Sequence, residues 1–260
     1  MRPPIVSNDN PLIKEAVSLR MAKYRRRTGL FMVEGEKMVR EAVENGAGII
    51  RIFGTEPYLG EGPSYLNGCG DLIQPVSGRV YRHLSGQTTP TGVSAVCRIP
   101  EKVIDPAQYG RLMILDGVQD PGNVGTIHRI CDAAGFDGMV CLTGCADPFG
   151  PKTVQASMGA VFRVPVLSAG DGDDDKSLLH RIQDTGFRLA AGILDADARD
   201  ALAWSPDEGK WALVIGNESR GVADWLAALA DVKLFIPIRG GAESLNAAVA
   251  AGILAYRMPG

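Results

Sequence analysis

The sequence lacks the segments that membrane-spanning and secreted proteins carry. No stretch approaches the roughly 18 consecutive apolar residues that cross a bilayer, and the opening residues, MRPPIVSNDNP, contain no apolar signal-peptide core. The five cysteines are scattered and odd in number, which argues against a disulfide framework and favours a reduced, cytoplasmic protein. Cys141 and Cys145 have no second pair of Cys or His ligands nearby, so no metal site is expected.

The composition excludes disordered and fibrous proteins. Of the 260 residues, 45% are hydrophobic and 22% are charged, as in an ordinary folded chain. At roughly 150 residues per domain, this length predicts one large domain or two smaller ones.

The charge is distributed unevenly along the chain. The net charge is −3, but residues 11–40 hold eight Lys or Arg and three Glu, a local charge of +5, which leaves −8 for the remainder. Phosphate binding is a local electrostatic effect within about 8 Å at physiological salt. The acidic total therefore does not exclude a nucleic-acid partner, although a solvated helix face would explain the same charges.

Residues 1–99 predict a small α/β domain. An amphipathic helix is expected over residues 12–27, where Ile13, Val17 and Tyr24 recur at helical spacing and basic residues occupy the other face. Further helices are expected at 37–44 and 77–84, and strands at 30–33, 49–53 and 93–98. Residues 100–109 are polar with two prolines and predict a linker.

Residues 110–260 predict a larger domain with a mainly parallel sheet. Apolar strands are expected at 112–115, 139–142, 188–191, 212–215 and 232–236, alternating with helical stretches. Apolar strands separated by helices are typical of a parallel sheet that is covered on both faces. Ligands of such sheets bind beyond the carboxyl ends of the strands, so the loops at those ends are the candidates for function.

The first candidate loop, residues 116–129, leads into a helix. Asn123 is expected to be the N-cap of this helix. Arg129 would lean back over Gly125 toward the positive helix start, an arrangement suited to holding an anion or a developing oxyanion. A structural ion pair of Arg129 with Asp116 or Asp120 explains the same residues equally well.

Two further loops follow the expected strands at 212–215 and 232–236. Residues 215–221, IGNESRG, resemble a phosphate loop only loosely, and Glu218 would repel a phosphate there; a tight turn explains them as well. Residues 236–246, IPIRGGAESLN, place Ser244 as the expected N-cap of an Ala- and Gly-rich helix. That helix fits a close chain crossing, a subunit interface or a plain buried helix.

Taken together, the three loops closely resemble the three motifs of the SpoU/TrmH-type RNA ribose 2′-O-methyltransferases of the SPOUT superfamily. The matching residues are Asn123-x-Gly-x-x-x-Arg129, Gly216-Asn-Glu218 with Gly221, and Ile236-Pro237 followed by Ser244-Leu-Asn246. The resemblance covers about residues 110–258, including DPFGPK at 147–152 and ASMGA at 156–160. The preceding segment, RRRTGLFMVEGEKMVREAV, is similar to an RNA-binding substrate domain related to certain ribosomal proteins.

This resemblance implies a carboxy-terminal α/β domain tied in a deep trefoil knot, S-adenosyl-L-methionine as cofactor, and a homodimer. It implies no metal and no membrane. Carried over by position, the implied site comprises catalytic residues Asn123, Arg129, Glu218, Ser244 and Asn246, and cofactor-binding residues Gly216, Ile236 and Leu245. The expected RNA-binding residues are Lys14, Arg20, Lys23, Arg25, Arg26 and Arg27.

Two residues depart from the family pattern. Gln155 stands where relatives often have Arg before the Ala-Ser segment, and His128 stands where an apolar residue is usual. The motifs themselves are intact. We assign no role to His128.

The leading functional interpretation is methylation of a ribose 2′-hydroxyl, in ribosomal RNA more than in transfer RNA because of the upstream domain. An antibiotic self-protection enzyme acting on rRNA falls within the same class. The alternatives are a transfer-RNA 2′-O-methyltransferase, a non-catalytic RNA-binding or ribosome-assembly protein, and a small-molecule enzyme. The last would leave the basic helix unexplained.

Overall fold

The structure is a computed structural model that describes residues 2–100, 106–168 and 174–258. Its backbone packing divides the chain into two compact units. Unit 1 consists of Met1–Glu101 with Phe149–Phe162, and unit 2 of Lys102–Pro148 with Arg163–Gly260. Residues 149–162 were expected within an uninterrupted domain from 110 to 260. They group with unit 1 because Phe149 and Phe162 pack on Phe31, with ring centroids 5.3 and 6.2 Å apart.

Unit 1 is built on a four-stranded sheet with helices packed against it. Its elements before residue 101 are α1 (Pro11–Ser18), α2 (Ala22–Thr28), β1 (Leu30–Glu34), α3 (Glu36–Glu44), β2 (Ile49–Thr55), α4 (Glu56–Gly60), β3 (Ile73–Val76), α5 (Gly78–Leu84) and β4 (Val93–Arg98). The strand order is β1-β4-β2-β3. Strand β4 is antiparallel to both neighbours, whereas β2 and β3 are parallel. All the strands and helices expected here are present except one, the long first helix.

The helix expected over 12–27 is two helices, α1 and α2. Leu19 is buried, Leu19-Arg20 form a turn and Met21 a bend, so the chain changes direction between the two helices. The turn is fixed by the buried Arg25, whose Nη1 donates to the Leu19 carbonyl at 2.6 Å. The spacing of apolar residues over 12–27 is the same whether the segment forms one helix or two. The break between α1 and α2 therefore could not be predicted from that spacing.

Unit 2 contains the larger sheet. The remaining elements of the chain are β5 (Arg111–Leu115), α6 (Pro121–Ala134), β6 (Gly138–Cys141), α7 (Pro151–Ser157), α8 (Ala160–Arg163), β7 (Val166–Ser168), α9 (Asp175–Asp184), β8 (Phe187–Gly192), β9 (Arg199–Asp200), β10 (Lys210–Ile215), α10 (Asp224–Ala227), β11 (Val232–Phe235) and α11 (Ala247–Ala255). Helix α7 and most of α8 belong to unit 1.

The seven strands of unit 2 are ordered β7-β6-β5-β10-β8-β11-β9, and every neighbouring pair is parallel. The expectation of a mainly parallel sheet is confirmed. The short edge strands β7 and β9 were not foreseen, since two or three residues carry no readable pattern. Helices α6 and α11 share one buried cluster with the sheet, and α9 and α10 share another with its opposite face. The knot implied by the resemblance stays a prediction, because strand order alone does not specify threading.

No helix in the described ranges is long and apolar enough to cross a membrane.

Candidate active site

An open cavity lies at the carboxyl ends of three neighbouring strands of unit 2, β8, β10 and β11. Its volume is about 420 Å³, within the roughly 300–1,000 Å³ of small-molecule sites. Its wall combines apolar side chains with a few polar ones, contributed by residues 192–194, 215–222, 234–238 and 243–254. Five of the predicted site residues line it: Gly216, Glu218, Ile236, Ser244 and Leu245.

Gly216 is where the wall of the cavity is made by closely packed backbone. A Cβ atom at this position would lie 2.2 Å from the carbonyl carbon of Gly221 and 2.3 Å from the Val222 nitrogen. Asn217 and Gly221 exchange both backbone hydrogen bonds at 2.9 Å, so the loop closes tightly on itself. Position 216 therefore has to be glycine for this loop to keep its shape.

The loop after β10 is tied to the loop after the adjacent strand β5. The Asn217 side chain donates to the Gly117 carbonyl at 2.7 Å, and its Oδ1 accepts from the backbone of Ser219 and Arg220. The Asp116 carboxylate accepts from the Ala223 backbone at 2.7 Å. Two loops separated by a hundred residues thus form one rigid rim.

Three of the predicted catalytic side chains form a continuous hydrogen-bond chain. Asn246 Nδ2 donates to Asn123 Oδ1 at 2.9 Å, and Asn123 Nδ2 donates to Glu218 Oε1 at 2.7 Å. Asn246 Oδ1 accepts from the backbone of Ala248 and Val249. Because a carboxylate only accepts, both amide orientations are fixed by their partners. The chain joins all three motif loops at the edge of the cavity.

The structure corrects both predicted N-caps. Helix α6 is capped by Asp120, whose carboxylate accepts from the Asn123 backbone at 2.9 Å, and not by Asn123 itself. Helix α11 is capped by Asn246, and not by Ser244. The side chains of Asn123 and Ser244 are therefore not used as caps: Asn123 donates to Glu218, and Ser244 is exposed on the cavity wall.

Arg129 lies on the exposed side of α6 and does not line the cavity. Within the described ranges it makes no hydrogen bond or ion pair. The suggested partners are engaged elsewhere, Asp116 with Ala223 and Asp120 with Asn123. The structural explanation of Arg129 as an ion-pair residue is therefore not supported.

His128, the departure next to Arg129, is a core residue. Its ring is fully buried, and Nε2 lies 2.9 Å from the Val164 carbonyl oxygen. Burial lowers the pKa of His128 to about 4, against a weaker opposing effect of the hydrogen bond to Val164. The ring is neutral at pH 7, so Nε2 carries the hydrogen and donates it. Position 128 contributes packing and not charge.

The cysteines offer no metal site. All five are free thiols. A hydrogen bond to Cys141 lowers the pKa of Cys145, and the same bond, followed by burial, raises the pKa of Cys141. Across the described residues, no group of three or more His, Cys, Asp or Glu side chains is arranged to hold a metal ion.

Several cavity residues were missed from the sequence. Gly192, Ile193 and Leu194 line the cavity at the end of β8, together with Arg220 and Glu243 from the two motif loops. The rule that ligands lie beyond strand ends applies to β8 as well. The three lining residues carry no polar side chain, however, so they gave no chemical signal.

The basic residues of unit 1 have different environments. Lys23, Arg26 and Arg27 are exposed on α2. Lys23 Nζ and Arg27 Cζ contact the Tyr24 ring, at 5.0 and 4.7 Å from its centroid. Lys14 pairs with Asp9, and Arg20 donates to the carbonyls of His83 and Leu84. Arg25 was predicted to contact RNA. That prediction is corrected, because its side chain is only 4% exposed and holds the Leu19 carbonyl.

Comparison with known proteins decides the family. The model of the SpoU rRNA methylase family matches residues 110–256, more than half of the chain. The chain belongs to this family. A second model, the MRM3-like substrate binding domain, matches residues 10–95.

Relatives of this SpoU family member match it over nearly its whole length. The 23S rRNA (guanosine(2553)-2′-O)-methyltransferase RlmP of Bacillus subtilis is 34% identical over 98% of this chain and 99% of its own. The mitochondrial rRNA methyltransferase 3A of Danio rerio is 30% identical, over 96% of this chain and 68% of its own. The structure of an AdoMet-bound rRNA methyltransferase from Sinorhizobium meliloti superposes with a TM-score of 0.84 at 30% identity, covering 98% of this chain and 96% of that one.

Replacing Gly216 by alanine should damage the cavity selectively. The added methyl group would press on the backbone of Gly221 and Val222, and overpacking of this kind costs about 1–3 kcal/mol. We expect the affinity for S-adenosylmethionine, measured by calorimetry, to fall roughly 10- to 100-fold. Gly240→Ala is the matched control, since a Cβ there meets no atom within 4 Å. Equal affinity of the Gly216→Ala protein and the wild type would contradict the assigned role of this loop.

Proposed function

We propose that this protein transfers a methyl group from S-adenosyl-L-methionine to a ribose 2′-hydroxyl of ribosomal RNA. The observation that carries the proposal is the hydrogen-bond chain from Asn246 through Asn123 to Glu218. It joins the three motif loops of a SpoU family member beside one cavity. The B. subtilis relative, named a 23S rRNA 2′-O-methyltransferase, supports the substrate and the position of methylation.

The residues around the cavity fit S-adenosylmethionine. Apolar side chains such as Leu234, Ile236 and Leu245 provide surface for the adenosine. Glu218 and Glu243 bring negative charge toward a cofactor that carries a sulfonium and an ammonium group. The AdoMet-bound structure of the rRNA methyltransferase from S. meliloti supports the same assignment.

The protein's part in the reaction is to position the RNA and stabilise charge. When bound, the cofactor supplies a methyl group on a good leaving group. The ribose hydroxyl must lose its proton as it attacks. We assign Asn123, Glu218, Ser244 and Asn246 to orienting the ribose and the loops. Arg129 stabilises the developing alkoxide or holds the adjacent phosphate; it is not a base, because arginine stays protonated in proteins.

A homodimer would give Arg129 access to a reaction site. Arg129 does not line the cavity of its own chain, so its role requires that a second copy or the RNA bring the reacting groups to it. The exposed face of α11 supplies an apolar surface for a second copy, since Val249 is 51% exposed and Tyr256 68%.

The exposed basic residues of α2 are assigned to RNA backbone contacts. Lys23, Arg26 and Arg27 carry charge to the surface of unit 1, whose residues 10–95 match a substrate-binding domain. Lys14 and Arg20 remain in this set through their exposed charge, although each also has a protein partner. An rRNA substrate and five free thiols are consistent with the cytoplasm.

Methyl transfer from labelled S-adenosylmethionine into unmodified rRNA and tRNA tests the reaction and the substrate together. We expect label in rRNA at a ribose 2′-oxygen, and a loss of about 100- to 1,000-fold in Arg129→Ala, as for other side chains that stabilise transition-state charge. Label in tRNA alone would favour the tRNA alternative. Absence of both transfer and cofactor binding would favour a non-catalytic RNA-binding protein.

The pH–rate profile of Arg129→Lys distinguishes charge stabilisation by Arg129 from a role as general base. A charge-stabilising role predicts reduced activity with the pH dependence unchanged. Near-native activity with a lower apparent pKa would instead identify this position as the base, because lysine loses its proton far more readily than arginine.

The salt dependence of RNA binding tests α2. Replacing Arg26 and Arg27 by alanine should weaken binding and reduce the slope of log K against log salt concentration by roughly 0.7–0.9 for each lost phosphate contact. The Arg79/Arg82 double alanine variant is the control, since it removes the same charge from α5 of the same unit. Equal slopes for the two variants would remove α2 from the RNA surface.

The mass in solution, measured by light scattering, tests the dimer. The wild type is expected at twice the chain mass of 27.6 kDa. Tyr256→Glu should shift it toward the monomer by placing a charge in the apolar contact. Val6→Glu, at an exposed apolar residue of unit 1, should leave the mass unchanged. A monomeric wild type in active preparations would refute the proposal.

A further inference from the structure

Arg220 is a cationic side chain on the wall of the cavity whose role is unassigned by the motifs. Within the described part of the chain it is the only Lys, Arg or His that lines this cavity, where the other charged side chains are Glu218 and Glu243. The wall therefore offers two places that attract cations and one that attracts an anion.

The backbone of Arg220 is held firmly in place. Its N–H donates to Asn217 Oδ1 at 3.1 Å, and the next residue, Gly221, donates to the Asn217 carbonyl at 2.9 Å. Asn217 is in turn anchored to Gly117 at 2.7 Å. The base of the side chain is thus fixed to the rigid rim between the loops after β5 and β10, as is required of a group that selects a ligand.

The guanidinium group of Arg220 has no hydrogen-bond acceptor among the described residues. In the described ranges it forms no hydrogen bond, ion pair or ring contact with the protein, and it is exposed. Its Nη2 lies within 3.7 Å of the position that a Cβ of Gly117 would take. Neither Glu218 nor Glu243 forms an ion pair with it among the described residues, and Glu218 Oε1 accepts from Asn123. An unpaired cation beside two carboxylates suits a ligand that itself carries both signs of charge.

We propose that Arg220 binds the carboxylate of the amino-acid moiety of S-adenosylmethionine. The planar guanidinium matches a carboxylate with two parallel hydrogen bonds. The two glutamates would repel that carboxylate and attract the ammonium and sulfonium groups, so the charges of the wall fix the direction in which the amino acid lies. This inference rests on the proposed function, and it makes Arg220 a binding residue for the cofactor.

The consequence is discrimination between ligands with and without the amino acid. S-adenosylhomocysteine keeps the carboxylate, whereas 5′-methylthioadenosine has the same nucleoside and thioether without the amino acid. Loss of Arg220 should affect only the first. A structural role of Arg220 in the loop would affect both ligands alike.

The test is calorimetric titration of the full chain with these two ligands, which needs neither RNA nor turnover. For Arg220→Ala we expect S-adenosylhomocysteine to bind roughly 10- to 100-fold more weakly, as for loss of a charge-assisted hydrogen bond, and 5′-methylthioadenosine to bind as in the wild type. Arg220→Lys should recover part of the affinity. Arg239→Ala removes the same charge from the loop after β11, outside the cavity wall, and should change neither affinity.

Two outcomes would overturn the inference. Equal weakening of both ligands would show that Arg220 only shapes the loop. Unchanged binding of both ligands would show that Arg220 does not contact the cofactor. If the wild type binds neither ligand, the proposed function itself fails, which is distinct from either result.

Discussion

The hydrogen bonds among Asn246, Asn123 and Glu218 are the interaction on which the site depends. They join residues up to 123 positions apart in sequence, at 2.7 and 2.9 Å. Asn123 uses both ends of its amide in the chain, whereas Asn246 donates with its nitrogen and uses its oxygen to cap α11. The side-chain amides of Asn123 and Asn246 therefore hold the start of α11 and the loop after β10 in place together. Displacing any one of them would loosen two loops at once.

The parallel sheet is what makes that chain possible. Strands β5, β10, β8 and β11 are neighbours and run in the same direction, so their following loops emerge at one edge. Sheet order departs from sequence order beyond β5, since β10 lies between β5 and β8. This crossing over brings Asp116 and Gly117 beside Asn217 and Ala223. At Gly216 the wall of the cavity is closely packed backbone. Side chains from the loops after β8, β10 and β11 and from α11 line the remainder of the wall.

The N-caps of α6 and α11 could not be predicted from the sequence, because several polar residues near each helix start could serve as the cap. Asn123 and Ser244 both read as N-caps, since each precedes or begins an apolar helical pattern. The structure gives the caps to Asp120 and Asn246. Capping is a local rule and several neighbouring residues satisfy it equally. The choice among them is made by partners elsewhere in the chain, such as Glu218 for Asn123.

The basic residues of unit 1 are another case in which a local sequence pattern did not predict the environment of each side chain. The run Arg25-Arg26-Arg27 was one basic patch in sequence, yet Arg25 is buried on the Leu19 carbonyl while its two neighbours are exposed. Consecutive helical residues point about 100° apart, so three in a row cannot all lie on one face of the helix. The charge count of a segment is thus an upper bound on what it presents to a partner.

By itself the sequence determined five of the seven strands of the parallel sheet, the family through its three motifs, and five of the residues that line the cavity. These depend on patterns within one segment, namely apolar runs, spacing and residue type. Only the tertiary structure decided which polar groups meet, that Arg129 stands away from its own cavity, that His128 and Arg25 are buried, and that Arg220 faces the cavity unpaired. Those facts arise from contacts between distant segments, which no local pattern encodes.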